Sequence, residues 1–286
     1  MKKYVYLFAT ILLLSVVACK KTTKEVSKTN NFVEFVSHFP KEIISTTDKI
    51  KVQLVKPIAS SAIPDNVITL SPKVKGTVSV EGNTLVFTPT EKLKGNQEYI
   101  VTTNLSALYT NVSTAKKEFV FKVKTKEQLF VVNSFSPQSY DKNWNYIDGV
   151  ISANDVIETS KLDNILTATY KNKNIPIQFD ATEKYASKIS FTIDSIQRLE
   201  NDEILELSWN GKAIKSSSEG KKEISIIGKS NFKITAIDVS KDGTQEIAIS
   251  FSDPIKTTQN LNGLIAFNNT KNTKFTYKID KNKVTV

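Results

Sequence analysis

The feature that most constrains the fold is a two-residue alternation of apolar and polar side chains, which recurs in short runs along most of the chain. Residues 49–54 (KIKVQL) and 84–88 (TLVFT) show this alternation, and a turn signal, Glu81-Gly82-Asn83, precedes the second run. This period is typical of β-strands with one buried and one solvated face. Short strands separated by Gly, Pro and Asn turns predict an all-β protein made of tandem β-sandwiches.

The alternation stops and restarts twice, which divides most of the chain into three predicted units. Their bounds are residues 32–126, 127–229 and 230–286, and each restart follows a lysine-rich or serine-rich stretch that is typical of a linker. We expect two β-sandwiches, the second with a short helix near residues 160–166. The third unit shows too few strand patterns to close a sandwich, so we expect it to be the incomplete start of a β-domain.

The N-terminus carries the pattern of a signal peptide over residues 1–18. Lys2 and Lys3 precede an apolar core that is too short to cross a bilayer comfortably, and the run VVAC ends at Cys19. VVAC resembles the lipobox of bacterial lipoproteins, in which the cysteine carries the lipid, palmitate included, and becomes the first mature residue. The alternative is an ordinary signal peptide with an incidental cysteine. We predict lipid attachment at Cys19 and a lipidated flexible tether over residues 19–31, which are rich in Lys, Thr, Ser and Asn.

The inventory of reactive side chains argues against catalysis. Cys19 is the only cysteine and His38 is the only histidine, whereas a Ser/His/Asp relay needs a histidine base and a zinc site usually needs several His or Cys ligands. We interpret His38 as a structural or surface residue. We therefore expect no enzyme activity, no catalytic or metal-binding residue and no cofactor.

The formal net charge of +10 comes almost entirely from lysine, and Arg198 is the sole arginine. Nucleic-acid readers favour arginine for bidentate contacts to bases and phosphates. Here the lysines alternate with apolar residues, as in residues 121–124 (FKVK). This pattern indicates solvated strand faces, which also discourage sheet-to-sheet aggregation, and we expect no nucleic-acid partner.

Several carboxylates invite a binding role. Asp253, which precedes Pro254, could contact a ligand, but an Asp-Pro pair is also typical of the end of a strand. Asp141, Asp148 and Asp155 are interpreted as scattered loop residues. No pair among them is predicted to perform paired-carboxylate hydrolysis, since that chemistry needs a specific separation.

Aromatic side chains form a second group of candidates. Trp144, Tyr140 and Tyr146 lie close together in a segment rich in Asp and Asn, and could either stack on a sugar or cap the end of a sandwich. Trp209 alternates with leucines, which predicts a core position.

The three units also resemble known families. Residues 191–196 (FTIDSI), Arg198 and residues 205–212 (LELSWNGK) are similar to the second domain of alpha-2-macroglobulins of the Bacteroidetes. Residues 247–254 (IAISFSDP) and 261–265 (LNGLI) resemble the macroglobulin-like domain that follows in those proteins. The first unit resembles a bacterial Ig-like domain at residues 39–40 (FP), 50–52 (IKV), 57–58 (PI), 70–72 (LSP), 76–78 (GTV), 82–89 (GNTLVFTP) and 99–101 (YIV).

The alpha-2-macroglobulin resemblance implies a protease trap, an endopeptidase inhibitor that is cut in a bait region and closes round the protease. Many members carry a Cys-Gln thioester. Both parts are expected beyond residue 286, so the resemblance implies that this span supplies the anchor and the first architectural domains. The implied partners are the membrane, through the lipid, and proteases, through the rest of the protein.

Two other functions stay open. One is a tandem Ig-like adhesin or glycan-binding surface lipoprotein, and the other is a carbohydrate-active enzyme with leading β-modules. The expected location is the bacterial cell envelope. Lys20 and Lys21 directly follow the cysteine and favour the periplasmic side, because surface-export signals in this phylum tend to be acidic there.

Overall fold

A computed structural model describes residues 24–58, 63–64, 66–243, 245–268 and 274–286. Within these ranges the chain forms β-strands and short 3-10 helices, and the predicted all-β class is confirmed. In the same ranges there is no helix both long and apolar enough to cross a membrane.

Two sheets build the first unit. Their orders are β1-β3-β6-β5 and β2-β8-β7-β4. The predicted alternation is visible in β3, where Ile50, Val52 and Leu54 are completely buried between the sheets. The strands are β1 (Val36–His38), β2 (Ile43–Ile44), β3 (Ile50–Leu54), β4 (Ile68–Ser71), β5 (Gly76–Glu81), β6 (Thr84–Pro89), β7 (Glu98–Asn104) and β8 (Glu118–Thr125).

The described part of the predicted tether lies against this unit. The Ser27 amide donates to the Val120 carbonyl at 2.9 Å, and the Val120 amide donates to Ser27 Oγ at 2.9 Å. A 3-10 helix, Thr29–Phe32, follows, and the Phe32 ring packs on the Phe119 ring at 5.2 Å between centroids. Residues from 24 onward therefore run along β8 and contribute to the first core.

The second unit also has two sheets around one core. In the first, β10, β11, β15 and β14 follow in that order and β9 also pairs with β11; the second has the order β13-β12-β16-β17. The strands are β9 (Phe130–Ser134), β10 (Gln138–Ser139), β11 (Trp144–Glu158), β12 (Leu166–Tyr170), β13 (Lys173–Ile175), β14 (Ile177–Asp180), β15 (Tyr185–Gln197), β16 (Glu203–Asn210) and β17 (Glu219–Ile226).

The helix expected near residues 160–166 differs in type and position. The structure has a 3-10 helix at Thr159–Asn164, and Leu166 already begins β12. Residues 153–158, which directly precede this 3-10 helix, belong to β11. Pairing at both ends of this stretch decides its conformation, because Ala153 is in register with Phe130 of β9, and Ile157 and Glu158 are in register with Ala186 and Tyr185 of β15.

The third unit has a single sheet among the described residues, with the order β18-β19-β21-β20. Its strands are β18 (Ile234–Val239), β19 (Ile247–Phe251), β20 (Lys278–Asp280) and β21 (Lys283–Thr285). Val284 is completely buried, whereas Ile234, Ile237 and Val239 on β18 are 55%, 60% and 64% exposed. That this unit is incomplete stays a prediction.

Candidate functional site

Cys19, the predicted lipid-attachment residue, lies outside the described residues. His38 is exposed at the end of β1 and is in register with Gln53 of β3. Among the residues that the structure describes, no three His, Cys, Asp or Glu side chains come close enough together to hold a metal ion. The side chains that converge instead lie where one unit meets the next.

Two of the three carboxylates assigned to loops lie in a strand, so that interpretation was wrong for Asp148 and Asp155. Both belong to β11, and Asp148 accepts a hydrogen bond from Thr192 Oγ1 at 2.7 Å. Asp141 does precede the strand, where its carboxylate accepts from the amides of Asn143 and Trp144. Asp148 pairs with Thr192 of β15, whereas Asp155 lies between the paired residues Ser152 and Ile157, where the register of the two strands shifts.

Asp155 closes the junction between the first and second units, which we call the first junction. Its side chain is 2% exposed. Ser45 Oγ donates to one carboxylate oxygen at 2.5 Å, and the other oxygen accepts from Thr46 Oγ1 at 2.5 Å and from the Thr46 amide at 3.1 Å. The donors come from the loop after β2 and the acceptor comes from β11, so these bonds fix one unit on the other.

Burial and hydrogen bonding act in opposite directions on the pKa of Asp155. Burial raises the pKa, but the bonds from Ser45 and Thr46 outweigh it and hold the pKa below its ordinary value of 3.8. Lys92 adds a second link across the junction, donating to the Val156 carbonyl at 2.7 Å and to Gln128 Oε1 at 2.9 Å. Partial burial lowers the pKa of Lys92 despite the nearby acids Asp155 and Glu158.

Arg198 closes the second junction, between the second and third units. The side chain is completely buried just after β15. Nη1 and Nη2 donate to the two carboxylate oxygens of Asp253, at 2.7 and 3.1 Å. The remaining donors bond to backbone carbonyls: Nε to Ile227 at 2.9 Å, Nη1 to Lys142 at 3.2 Å and Nη2 to Gly228 at 3.1 Å. All five guanidinium N–H groups therefore have an acceptor.

Asp253 follows the end of β19, as predicted, and its carboxylate also accepts from Ser252 Oγ at 2.7 Å. Burial raises the pKa of Asp253, but the bonds from Arg198 and Ser252 outweigh it, and the net pKa is lowered. Ser139 in the second unit donates to the Ser252 carbonyl at 2.7 Å. Both Ser139 and Ser252 are buried, so the second junction is a desolvated polar contact.

The linker between these two units is itself held in place. Asp202 accepts hydrogen bonds from the Gly228 amide at 2.8 Å, from Asn231 Nδ2 at 2.8 Å and from Lys233 Nζ at 2.9 Å. These bonds, the Gly228 amide first, hold the pKa of Asp202 far below its usual range. The linker is therefore fastened to the second unit over residues 228–233.

The three aromatic residues Tyr140, Tyr146 and Trp144 do not all pack together. The Tyr140 and Tyr146 rings stack at 4.6 Å, and Lys281 of the third unit lies 5.6 and 5.8 Å from their centroids. Burial, followed by the hydrogen bond to Asp194, raises the pKa of Tyr140 to about 12. Trp144 makes no ring contact with either tyrosine in the described part of the chain and is 39% exposed.

Trp209 is half-buried and packs against the second core. Its indole also lies over Gly220 of β17, where an added Cβ would come within 2.6 Å of the ring. The predicted core role therefore applies to part of the side chain, and the rest covers the outer strand.

Sequence reasoning did not identify Asp155 and Arg198 as junction residues, although both carry a signal. Asp155 falls in phase with the buried positions Ile151 and Ile157 of the alternation, where a carboxylate requires partners. Arg198 is the one arginine in a chain that otherwise uses lysine. A guanidinium with five fixed donors is favoured where several acceptors converge.

Comparisons with known proteins give weak similarities to solved structures and one family match. No curated protein matches the chain. The I9–I11 tandem of titin is 11% identical, with 87% of each chain covered and a TM-score of 0.30. The N-terminal part of the bacterial S-layer protein SbsC is 14% identical, with 66% of this chain and 42% of that chain covered and a TM-score of 0.27. The full ectodomain (Ig1–Ig3) of mouse nectin-like molecule 4 is 8% identical, with 86% of this chain and 85% of that chain covered and a TM-score of 0.27.

Residues 33–123 match the family described as "Bacterial Ig-like domain". The first unit is similar to this family over nearly its whole length. The match covers the two facing sheets of this unit, from before β1 into β8. Ser45, Thr46 and Lys92, the side chains that the Ig-like domain contributes to the first junction, all lie in its loops. Loops carried by a rigid sandwich commonly provide the contacts of this fold.

Proposed function

We propose that the chain is the N-terminal anchoring and architectural part of an alpha-2-macroglobulin-like protease inhibitor of the bacterial envelope. The observation that carries this proposal is that a buried, hydrogen-bonded charge closes each junction between units: Asp155 the first and Arg198 the second. An architectural arm must hold its domains in a fixed arrangement. The sequence resemblance described above supplies the type of protein that such an arm would serve.

The chemistry of the junctions favours a fixed arm over a flexible string of domains. Domains that move independently are joined by exposed linkers with few crossing contacts. Here a carboxylate and a guanidinium are removed from water, which costs several kcal/mol unless their hydrogen bonds are made with good geometry. Only one arrangement of neighbouring units satisfies these bonds, so each junction specifies an orientation.

The anchor in this proposal is a lipid on Cys19, which holds the chain on the periplasmic side of the envelope. Only residues 19–23 separate the lipid from the segment that runs along β8. Five residues span at most about 18 Å when fully extended. The Ig-like domain would therefore be held close to the membrane surface, and the arm would place the following domains at a defined distance from it.

The test uses the full-length protein, including any domains that follow residue 286. Incubation with trypsin should leave cleavage of a small peptide substrate intact while cleavage of a large protein substrate falls, because a trapped protease is shielded from large molecules. The Arg198→Met variant should trap less protease, since its second junction is open, whereas Lys221→Met, which removes an exposed cation, should trap normally. Equal cleavage of both substrates would contradict the inhibitor role.

A further inference from the structure

Trp144 lies in a groove of the second unit whose lining does not include the stacked tyrosines Tyr140 and Tyr146. This groove, which we call the Trp144 groove, has a volume of about 550 Å³. That volume is within the range of ordinary small-molecule sites. Besides the indole, its lining includes Lys173, Asn174, Gln178, Asp194 and Gln197.

A β-bulge forms one wall of the groove. Asn145 pairs with Ile196 and Ile147 pairs with Ile193, so two residues of β15, Asp194 and Ser195, oppose one residue of β11. Ser195 has φ +56°, a left-handed conformation that a serine adopts at a cost of about 1 kcal/mol or more. Bulges of this kind redirect side chains and are frequent beside binding sites.

The opposite wall is the hairpin between β12 and β13. Lys171 and Asn172 form its turn, with φ +53° and +59°, the positive angles of a tight primed turn. The Tyr170 hydroxyl bridges the walls by donating to the Gln197 carbonyl at 2.9 Å. The groove is therefore a preformed gap between the two sheets of the sandwich, fixed on both sides.

The groove combines one aromatic surface with polar side chains that are exposed to solvent. Trp144 keeps 39% of its surface exposed, although it is one of the largest apolar side chains. In the described part of the chain, the side-chain amides of Gln178 and Gln197 make no hydrogen bond, and each offers two donors and an acceptor. The Asp194 carboxylate is oriented by the Tyr140 hydroxyl at 2.6 Å and by the Ser195 amide.

We propose that the Trp144 groove binds an oligosaccharide of neutral pyranose units. The C–H face of a sugar ring packs on the exposed indole, and its ring hydroxyls bond with the amides of Gln178 and Gln197 and with Asp194. The lining carries two lysines, Lys171 and Lys173, and one carboxylate, Asp194. Because Asp194 is among the groups that the sugar contacts, a neutral ring is the proposed occupant and an anionic one is an outcome of the test. This binding role is separate from the architectural role and does not depend on it.

The test uses the chain from Lys20 to Val286, which includes all three units. The probes are chitotriose, maltotriose, cellotriose and, as an anionic comparison, trigalacturonate. Trp209→Phe leaves Trp144 as the only tryptophan, so its fluorescence reports binding directly. We expect a saturable change with at least one neutral trisaccharide. Trp144→Ala should weaken that binding by at least about tenfold, the factor that corresponds to losing 1.4 kcal/mol.

Two further variants keep the test decisive. Phe135→Ala truncates another exposed aromatic of the second unit, 58% exposed and outside the groove, and should bind normally. Gln178→Ala, at an exposed strand position that should not affect folding, should weaken binding several-fold. The proposal is overturned if no neutral trisaccharide binds at about 10 mM, a level that detects even very weak sites. Binding of trigalacturonate alone, or binding that survives Trp144→Ala, would overturn it as well.

Discussion

Replacement of Arg198 by Met should release the third unit while leaving the first unit unchanged. Methionine keeps a similar chain length but provides no donor, so Asp253 and the carbonyls of Lys142, Ile227 and Gly228 all lose a partner. Removing one member of a buried ion pair costs about 3–5 kcal/mol. The Asp253 side chain is 17% exposed and keeps its bond from Ser252, which favours the lower end of that range.

A cost of about 3 kcal/mol raises the population of the open junction by about 100-fold. Native-state hydrogen exchange measures this population, because amides exchange when their hydrogen bonds open. We expect the amides of Lys233 and Ser252, which lie at the second junction beside Asp253, to exchange about 100-fold faster in Arg198→Met, with those of β7 and β8 unchanged. The exchange rates of Arg198→Lys should lie between those of the parent protein and those of Arg198→Met, since an ammonium keeps the charge but cannot make bidentate hydrogen bonds to both oxygens of Asp253.

The matched control is Lys221→Met, which removes a cation from an exposed pair with Glu206. Exposed pairs contribute little to stability, so this variant should exchange like the parent. The reasoning is refuted if Arg198→Met changes exchange in the third unit by less than about threefold. Equal acceleration in the first unit would also refute it, because the effect would then be global and not local to the second junction.

Three further predictions concern the junctions, the anchor and the absence of chemistry. Acid should open both junctions, because folding lowers the pKa values of Asp155 and Asp253. The stabilisation that these carboxylates provide is therefore present above pH about 4 and is lost as the pH falls towards the lowered pKa values. Hydrogen exchange or small-angle scattering between pH 7 and 2 would record the opening, and Asp155→Asn should remove the pH dependence from the first junction only. Cys19→Ala should move the protein from the membrane fraction to the soluble fraction of fractionated cells, and unchanged membrane association would show that the anchor lies elsewhere. The chain from residue 20 to 286 should leave protease, glycosidase and esterase substrates intact, because His38 is the only histidine; activity that co-purifies with the chain and is lost on a point substitution would contradict this.

The strands could be predicted from the sequence because burial imposes a period of two on them. β3 and β8 show this, since each apolar position that the alternation assigns inward is buried. Long-range pairing decided what the local pattern could not. Residues 153–158 contain Asn154 and Asp155, which locally favour turns, yet they stay in β11 because Ala153 pairs with β9 on one side of them and Ile157 and Glu158 pair with β15 on the other.

The junctions were harder to predict because they depend on pairs of residues far apart in the chain. Asp155 contacts residues 109 and 110 positions away, and Arg198 contacts Asp253 at a separation of 55. No local pattern specifies such partners. The bulge in β15 that forms one wall of the Trp144 groove likewise appears only when the register of β11 and β15 is known.

The central claim is that the three units form one fixed arm, and a distance measurement between the first and third units tests it most directly. Removing Cys19 leaves no other cysteine, so spin labels can be placed at Ser79→Cys and Lys278→Cys, which are exposed positions on β5 and β20. Pulsed electron–electron double resonance should give a single narrow distribution of distances between the two labels at pH 7, and Arg198→Met should broaden it. A broad distribution in the parent protein, unchanged by Arg198→Met, would contradict the claim, because the units would then move independently despite their buried junctions.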